Sequence, residues 1–269
     1  MQFALFGHPV AHSRSPQIHT AFAAQRQQPM DFRLILAPLD DFAGSVRAFF
    51  RDGGTGANVT LPFKEQAWEL CDQLSERARQ AGAVNTLWQQ DGKLHGDNTD
   101  GIGMLTDISN NLGWPIKGQR ILILGAGGAV RGVLGPLLEQ QPEQIRIANR
   151  TEEKARELSQ MFAGHGIPIF GTGLESGLAQ PSKPYDLIIN AVSAGLDGSM
   201  PALPEHLIDS KTRCYDMIYG DTPFLRWARQ QGAAASSDGL GMLVEQAAEA
   251  FSIWHGWRPE TVPVIEQLR

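Results

Sequence analysis

Two stretches of this chain put groups that can move a proton where an extended segment gives way to a helix. In "ANVTLPFKEQAWEL" (residues 57–70), Lys64 stands just past a Val-Thr-Leu-Pro-Phe step. In "GDNTDG" (96–101), Asp100 stands where another extended arm ends. Reducing a ketone takes hydride at carbon and a proton at oxygen. A lysine held beside a carboxylate can supply that proton by cycling between ammonium and amine, the more so in a cleft that closes around it. Other small polar groups stand at strand ends too: Ser13 and Ser15, Thr60, Asn85 with Thr86, and Asn98. In an open α/β sheet, ligands gather at the carboxyl ends of the strands. Hydroxyls, an amide, an amine and a carboxylate with no aromatic cluster suit a small polyhydroxylated acid better than a base or a lipid. Each residue also has a plainer reading: Ser15 as a helix cap, Asn85 and Asp100 as turn residues, Lys64 as a solvated lysine. The chemistry lies in the combination of Lys64 with Asp100.

A second constellation could hold a nucleotide. "ILILGAGGA" runs apolar into Gly125-Ala126-Gly127-Gly128, and an amphipathic helical pattern follows at once. Gly125 allows the tight turn, Gly127 lets a pyrophosphate approach the backbone, and the helix start offers unpaired amides and a positive field. The third position of the fingerprint carries Val130, whose branched side chain is expected to push helix and strand slightly apart. The next strand ends at Asn149-Arg150-Thr151, with Lys154 one turn further on. An NAD site places a carboxylate at such a strand end; here Glu152 and Glu153 come only afterwards. Arg150 can fork onto a phosphate, Thr151 can donate a hydrogen bond while capping the next helix, and Lys154 adds a point charge. The cofactor expected from these residues is NADP.

These groups need elements to carry them. "FALFG" reads as a buried strand, and Ser15-Pro16 opens a helix expected to reach Arg26. "FRLILAPL" is a second strand, and "DDFAGSVRAFFRDGG" a helix with a capping aspartate and a glycine stop. "GANVT" is a third strand, and "PFKEQAWELC" a helix with Pro62 at its threshold. "AVNTLWQQDGKLHG" gives two extended arms around Asp91-Gly92, an antiparallel hairpin added at a sheet edge. A helix from Thr99 to Leu112 leads out, the polar connector "GWPIKGQ" follows, and a second α/β run starts at Arg120. Short strands alternating with helices of about three turns mean parallel α/β units. The fold class is α/β in two domains. Residues 1–101 form a mostly parallel α/β domain, completed by C-terminal helices in 240–269, and residues 102–239 form a Rossmann-type domain.

The bulk numbers exclude other classes. With 269 residues, 42% hydrophobic and 19% charged, the chain has the composition of a folded soluble protein. A net charge of -6 argues against a broad nucleic-acid or membrane surface. No run approaches a membrane span, and "MQFALFGHPVAHS" lacks the basic start of a signal peptide. Cys71 and Cys214 have no CxxC spacing, and the histidines are scattered. The cysteines read as reduced thiols of a cytoplasmic protein, with no metal site expected.

The blocks "NVTLPFKE", "GAVNT", "GDNTDG", "GAGGA", "NRT" and "DGLGMLVEQAA", in this order over essentially the whole chain, resemble the shikimate dehydrogenase family, in its NADP-dependent biosynthetic bacterial form. The resemblance implies a first domain that binds shikimate, a second that binds NADP, and reversible reduction of 3-dehydroshikimate to shikimate on the way to chorismate and the aromatic amino acids. It matches Ser13, Ser15 and Tyr219 to the substrate carboxylate. Thr60, Lys64, Asn85, Asp100 and Gln246 are matched to the ring hydroxyls. Gly125, Ala126, Gly127, Gly128 and Ala129 match the pyrophosphate turn, and Asn149, Arg150, Thr151 and Lys154 the adenosine phosphate clamp. Asn190 and Ala191 stand near the cofactor, and Met217, Gly239 and Met242 around the nicotinamide. Val192 in "NAVSAG" departs from the small hydroxylic residue the family often shows there. Whether Lys64 donates the proton or chiefly clamps the substrate stays open at this point, as does a choice between monomer and homodimer. Two rival readings are a quinate/shikimate dehydrogenase that uses NAD as well, and a non-catalytic sensor of shikimate-type metabolites. The missing strand-end carboxylate counts against the first, and the presence of Lys64 and Asp100 against the second.

Overall fold

Apolar runs that alternate with amphipathic helices fold here into two six-stranded sheets. The structure is a computed structural model and describes residues 1–175, 177–178, 183–192 and 202–269. It divides into two compact units, Met1–Gly103 with Leu243–Arg269, and Met104–Met242.

In the first unit, β1 (Gln2–Gly7), β2 (Asp31–Leu36) and β3 (Gly54–Val59) are parallel, joined by α1 (Ser15–Ala24) and α2 (Phe42–Arg51). α2 starts as expected, with Asp41 Oδ1 accepting the Gly44 N–H at 3.0 Å. α1 differs. Arg14 holds the cap position and Ser15 is the first helical residue, so the Ser15 hydroxyl does not cap the helix. Pro16 already occupies the first turn, where a missing N–H costs nothing. The helix stops at Ala24, short of Arg26. The next helix, α3 (Lys64–Leu70), begins at Lys64 itself, and Pro62 lies in the turn before it.

After α3 come β4 (Gln73–Leu74), α4 (Glu76–Ala81), β5 (Thr86–Gln90) and β6 (Lys93–Asp97). β5 and β6 form the antiparallel hairpin, turning through Asp91 and Gly92 with φ of 52° and 74°. The strand order is β2-β1-β3-β5-β6-β4, so the hairpin lies inside the sheet and the short β4 covers it. Two residues of strand leave no periodicity to read, which is why β4 escapes a sequence reading.

Alternate residues of β1 serve opposite faces. Phe6 packs on Phe42 and Phe49, within a core that also holds Val46, Phe50 and Phe63. Phe3 meets Trp254 and His255 on the other side. That second face is covered by α1 together with chain-terminal residues: Ile18 and Phe22 bury against Val244, Ala247, Phe251, Val264 and Ile265. The last two helices are α9 (Leu240–His255) and α10 (Val262–Leu268). The chain leaves the first unit within α5 (Asp100–Thr106), which passes into a π-helical turn at Asp107–Asn111, and re-enters it within α9.

The second unit contains β7 (Arg120–Leu124), α6 (Gly128–Glu139), β8 (Gln144–Asn149), α7 (Glu152–Met161), β9 (Ile169–Gly173), β10 (Leu187–Asn190), β11 (Arg213–Asp216), α8 (Pro223–Gln230) and β12 (Ala235–Ser237). All strands are parallel, in the order β12-β11-β10-β7-β8-β9. Read from β9, this is the 3-2-1-4-5-6 order of a dinucleotide-binding sheet. After Arg120, β7 is apolar because both its faces are buried: Ile121 and Ile123 enter one core, Leu122 and Leu124 the other. Among the described residues no helix is long and apolar enough to cross a membrane.

Candidate active site

The carboxyl ends of β1, β3 and β6 lie along one edge of the first sheet, since these strands run in one direction. Ser13 and Ser15 follow β1, Thr60 and Lys64 follow β3, and Asp100 follows β6. Asn85 precedes the antiparallel β5 and so reaches the same edge. A turn held from several sides delivers Asp100. Arg77 forks onto Asp97 through two 2.8 Å hydrogen bonds and also reaches Glu249. Asn98 Oδ1 then accepts the Asp100 N–H at 3.1 Å, a local turn that leads into α5.

Lys64 Nζ donates to Asp100 Oδ2 at 2.6 Å, with side-chain exposures of 26% and 11%. The other carboxylate oxygen, Oδ1, accepts from Asn85 Nδ2 at 2.9 Å. Asn85 Nδ2 also points to Gln246 Oε1 at 3.4 Å, so Gln246 on α9 joins the same group. α5 and α9 pass close enough there that a Cβ on Gly103 would lie 2.6 Å from the Gln246 nitrogen. Ser13 and Ser15 are linked to each other, Oγ to Oγ at 3.1 Å. Thr60 is half-buried beside Gly7. The first unit thus brings together seven of the expected residues: Ser13, Ser15, Thr60, Lys64, Asn85, Asp100 and Gln246. Tyr219 belongs to the second unit, exposed beyond the end of β11.

In the second unit the strand order reverses between β7 and β10, and the glycine turn stands at that point. Gly125 has φ +107° and a Cβ there would meet the Ala191 carbonyl, so no other residue type fits without strain. Gly127 and Gly128 are exposed, and among the described residues a Cβ on either meets nothing within 4 Å beyond its own chain neighbours and helix backbone. Gly127 caps α6 without a side chain, and the first turn of α6 carries no acidic residue. An exposed helix start, whose first amides have no partner within the helix and whose first turn carries no acidic residue, suits a pyrophosphate. Ala126 is half-buried and Ala129 exposed on this turn, while Val130 lies wholly buried in the core that also holds Ile121 and Leu134.

At the end of β8, Arg150, Thr151 and Lys154 are exposed, and Asn149 Nδ2 donates to the Thr151 carbonyl at 2.9 Å. Thr151 is the cap residue of α7 by its backbone, yet its side chain makes no capping bond, contrary to expectation. Its hydroxyl is therefore not spent on the helix. Among the described residues Arg150 and Lys154 make no ion pair; Glu152 is engaged by Arg156 at 2.6 Å. Asn190 is buried at the end of β10, where it donates to Asp216 Oδ1 and accepts the Val192 N–H. Met217 is tied to the same strand end through the Asn190 carbonyl at 2.9 Å, and Gly239 backs onto the Met217 carbonyl. Met242 is buried in the core beside Tyr215. Burial pushes the Asp216 carboxyl above its ordinary range, against hydrogen bonds from Thr222, Ile218 and Asn190 that favour its charge.

Sequence reasoning passed over two polar residues behind the first half-site, His19 and Asn58, which hydrogen-bond to each other at 3.0 Å. A signal existed: His19 lies one helical turn after Ser15, so the two share a face of α1.

Three family models match the chain: the shikimate dehydrogenase substrate binding domain over residues 5–87, shikimate/quinate 5-dehydrogenase over 108–196, and the shikimate 5'-dehydrogenase C-terminal domain over 239–269. A curated protein of Alcanivorax borkumensis named shikimate dehydrogenase (NADP(+)) is 62% identical, covering 99% of this chain and 96% of that protein. The chain belongs to the shikimate dehydrogenase family. Among solved structures, an Ael1 enzyme from Pseudomonas putida superposes with a TM-score of 0.92 at 45% identity, covering 99% of this chain and 97% of that one. The Thermus thermophilus shikimate 5-dehydrogenase, solved with NADP(H) and shikimate, superposes with a TM-score of 0.85 at 34% identity, over 99% and 97% of the two chains. Shikimate dehydrogenases are two-domain α/β oxidoreductases, and the two sheets described here have that architecture.

Proposed function

We infer that this protein catalyses the reversible NADPH-dependent reduction of 3-dehydroshikimate to shikimate, a step toward chorismate and the aromatic amino acids. The observation that carries the reading is the Lys64–Asp100 pair at 2.6 Å, with its second carboxylate oxygen held by Asn85. The relative named for NADP(+) and the neighbour solved with NADP(H) and shikimate support the choice of cofactor and substrate. Bound NADPH supplies the hydride for the reacting carbon. Lys64, as ammonium, polarises the carbonyl and gives its proton to the oxygen as the alkoxide forms, then recovers a proton from solvent. Asp100 orients the ammonium and balances its charge in a half-buried place, where a lone charge would be costly. Thr60, Asn85 and Gln246 hold ring hydroxyls, and Ser13, Ser15 and Tyr219 the carboxylate. The backbone of Gly125 to Ala129 holds the pyrophosphate. Asn149, Arg150, Thr151 and Lys154 hold the 2'-phosphate side of the adenosine, while Asn190, Ala191, Met217, Gly239 and Met242 shape the nicotinamide end. Cys71 and Cys214 are free thiols that burial pushes up to about 12, inert groups of the kind a reducing cytoplasm preserves.

The test is kinetic. The protein should oxidise shikimate with NADP⁺, and Lys64→Ala should lose roughly 10²–10⁴ in kcat if Lys64 transfers the proton. A change confined to KM would make Lys64 a uniform binder and remove its proton-transfer role.

A further inference from the structure

A buried histidine, His19, lies behind the substrate half-site. His19 has no exposed surface. Its ring stacks on Phe32, with centroids 4.5 Å and planes 10° apart, and lies against Trp254 and Phe251. Phenylalanine would fill such a place at no polar cost, whereas the imidazole leaves its Nδ1 buried without a hydrogen-bond partner. The other nitrogen, Nε2, lies 3.0 Å from Asn58 Oδ1.

The direction of that bond follows from what Asn58 does next. Asn58 Nδ2 donates to the Asn85 carbonyl at 3.1 Å and to Thr86 Oγ1 at 3.3 Å. Its Oδ1 is therefore the acceptor, and His19 is the Nε2–H tautomer. Thr86 Oγ1, having accepted, donates to Asn85 Oδ1 at 2.8 Å, which also accepts the Thr99 N–H at 2.9 Å. The Thr99 hydroxyl lies 3.1 Å from the same oxygen, and with that oxygen engaged Asn85 turns its amide nitrogen to Asp100 Oδ1. Every bond from His19 to Asp100 is donated in the same sense.

We propose that His19 is a positioning residue for the reaction: its Nε2–H sets the direction of the His19–Asn58–Thr86–Asn85 chain and so holds the Asn85 amide nitrogen on Asp100. This rests on the assignment of Asn85 and Asp100 to the substrate site. The other tautomer would reverse the chain. Asn58 would then turn its amide nitrogen to His19 and its oxygen to the Asn85 carbonyl, acceptor against acceptor. Thr86 would be drawn to donate to Asn58, and Asn85 Oδ1 would keep only its donors from Thr99. Burial keeps the ring neutral, lowering its pKa from 6.5 to about 3, so the donor survives at any working pH.

Two experiments test the proposal. Nitrogen NMR of the imidazoles in the unaltered protein should show His19 as the Nε2–H tautomer between about pH 5 and 9. An Nδ1–H tautomer or an imidazolium would overturn the direction of the chain, and this result needs no variant to fold. His19→Phe keeps the stack and removes the donor. It is expected to lower kcat/KM for shikimate about 10–100-fold, the scale of a slightly misplaced reacting group, with KM for NADP⁺ unchanged. His19→Gln, whose amide can donate, should recover part of the loss, and in an Asn85→Ala background His19→Phe should cost nothing more. Full activity in His19→Phe, or the same loss with and without Asn85, would overturn the proposal. An unaltered protein that does not oxidise shikimate would strike the functional reading instead and leave the tautomer measurement standing.

Discussion

The proposed roles of Arg150 and His19 differ in kind: one would act through an exposed charge, the other through a buried neutral donor. Arg150 is exposed at the end of β8 where an NAD site would place a carboxylate. Charge-assisted hydrogen bonds are worth about 1.5–3 kcal/mol, so Arg150→Ala is expected to lower kcat/KM with NADP⁺ by about 10–100-fold. The value with NAD⁺ should stay nearly unchanged, and equal losses with both cofactors would remove Arg150 from the 2'-phosphate site. His19 makes its mark on stability. Its folded pKa is lowered to about 3 from 6.5, so below pH 6.5 the unfolded chain binds a proton that the folded chain refuses. The stability is fully present above pH 6.5 and is lost as pH falls toward 3, by up to about 1.4 kcal/mol per unit. Urea unfolding between about pH 4 and 6 should therefore show a flatter pH slope in His19→Phe than in the unaltered protein; equal slopes would mean that the ring titrates normally. Lys64, Asp100 and Asn85 are legible in the sequence because each stands in a recognisable block at a strand end. His19 stands outside those blocks, and although Asn58 opens one of them, the link between the two joins residues 39 apart and shows only through space.

At the scale of elements, the glycine turn separates a folding requirement from a binding requirement. Gly125 needs its positive φ, whereas Gly127, with φ -91°, is conformationally ordinary and its missing Cβ leaves open space. Gly127→Ala should then leave Tm within about 2 °C, since surface substitutions away from strained positions move stability by about 0.5 kcal/mol or less. It should raise KM for NADP⁺ at least about tenfold, because the methyl occupies the place where the phosphate approaches the backbone. A large fall in Tm with KM unchanged would assign the glycine to folding. The Rossmann-type unit was legible because long β-apolar runs, glycine turn and amphipathic helix agree with one another at every level. The misread details share a physical cause. Ser15 and Pro16 both favour a helix start, and the register between first helical residue and cap turns on one residue of backbone. The π-helical turn at Asp107–Asn111 carries no composition signal that separates it from the α5 it continues.

For the molecule as a whole, one consequence of the chain's path is that the first unit is discontinuous. The face of its sheet that Phe3 lines is covered by α1 together with helices from residues 243–269, so that core closes only once those residues have joined the first 103. A second consequence is that, on the proposed reading and with Tyr219 excepted, the substrate residues and the phosphate-holding residues lie in separate stretches. Lys64, Asn85, Asp100 and Gln246 belong to one unit, while Gly125 to Ala129 and Arg150 belong to the other. Substrate and cofactor preference can therefore be read independently in a single set of rates. The decisive measurement is the initial rate of oxidation of shikimate and of quinate, each with NADP⁺ and with NAD⁺. Strong activity is expected only for shikimate with NADP⁺. Comparable rates with quinate and NAD⁺ would contradict the phosphate clamp and the substrate assignment together, and no oxidation of either acid would leave the fold standing without its function.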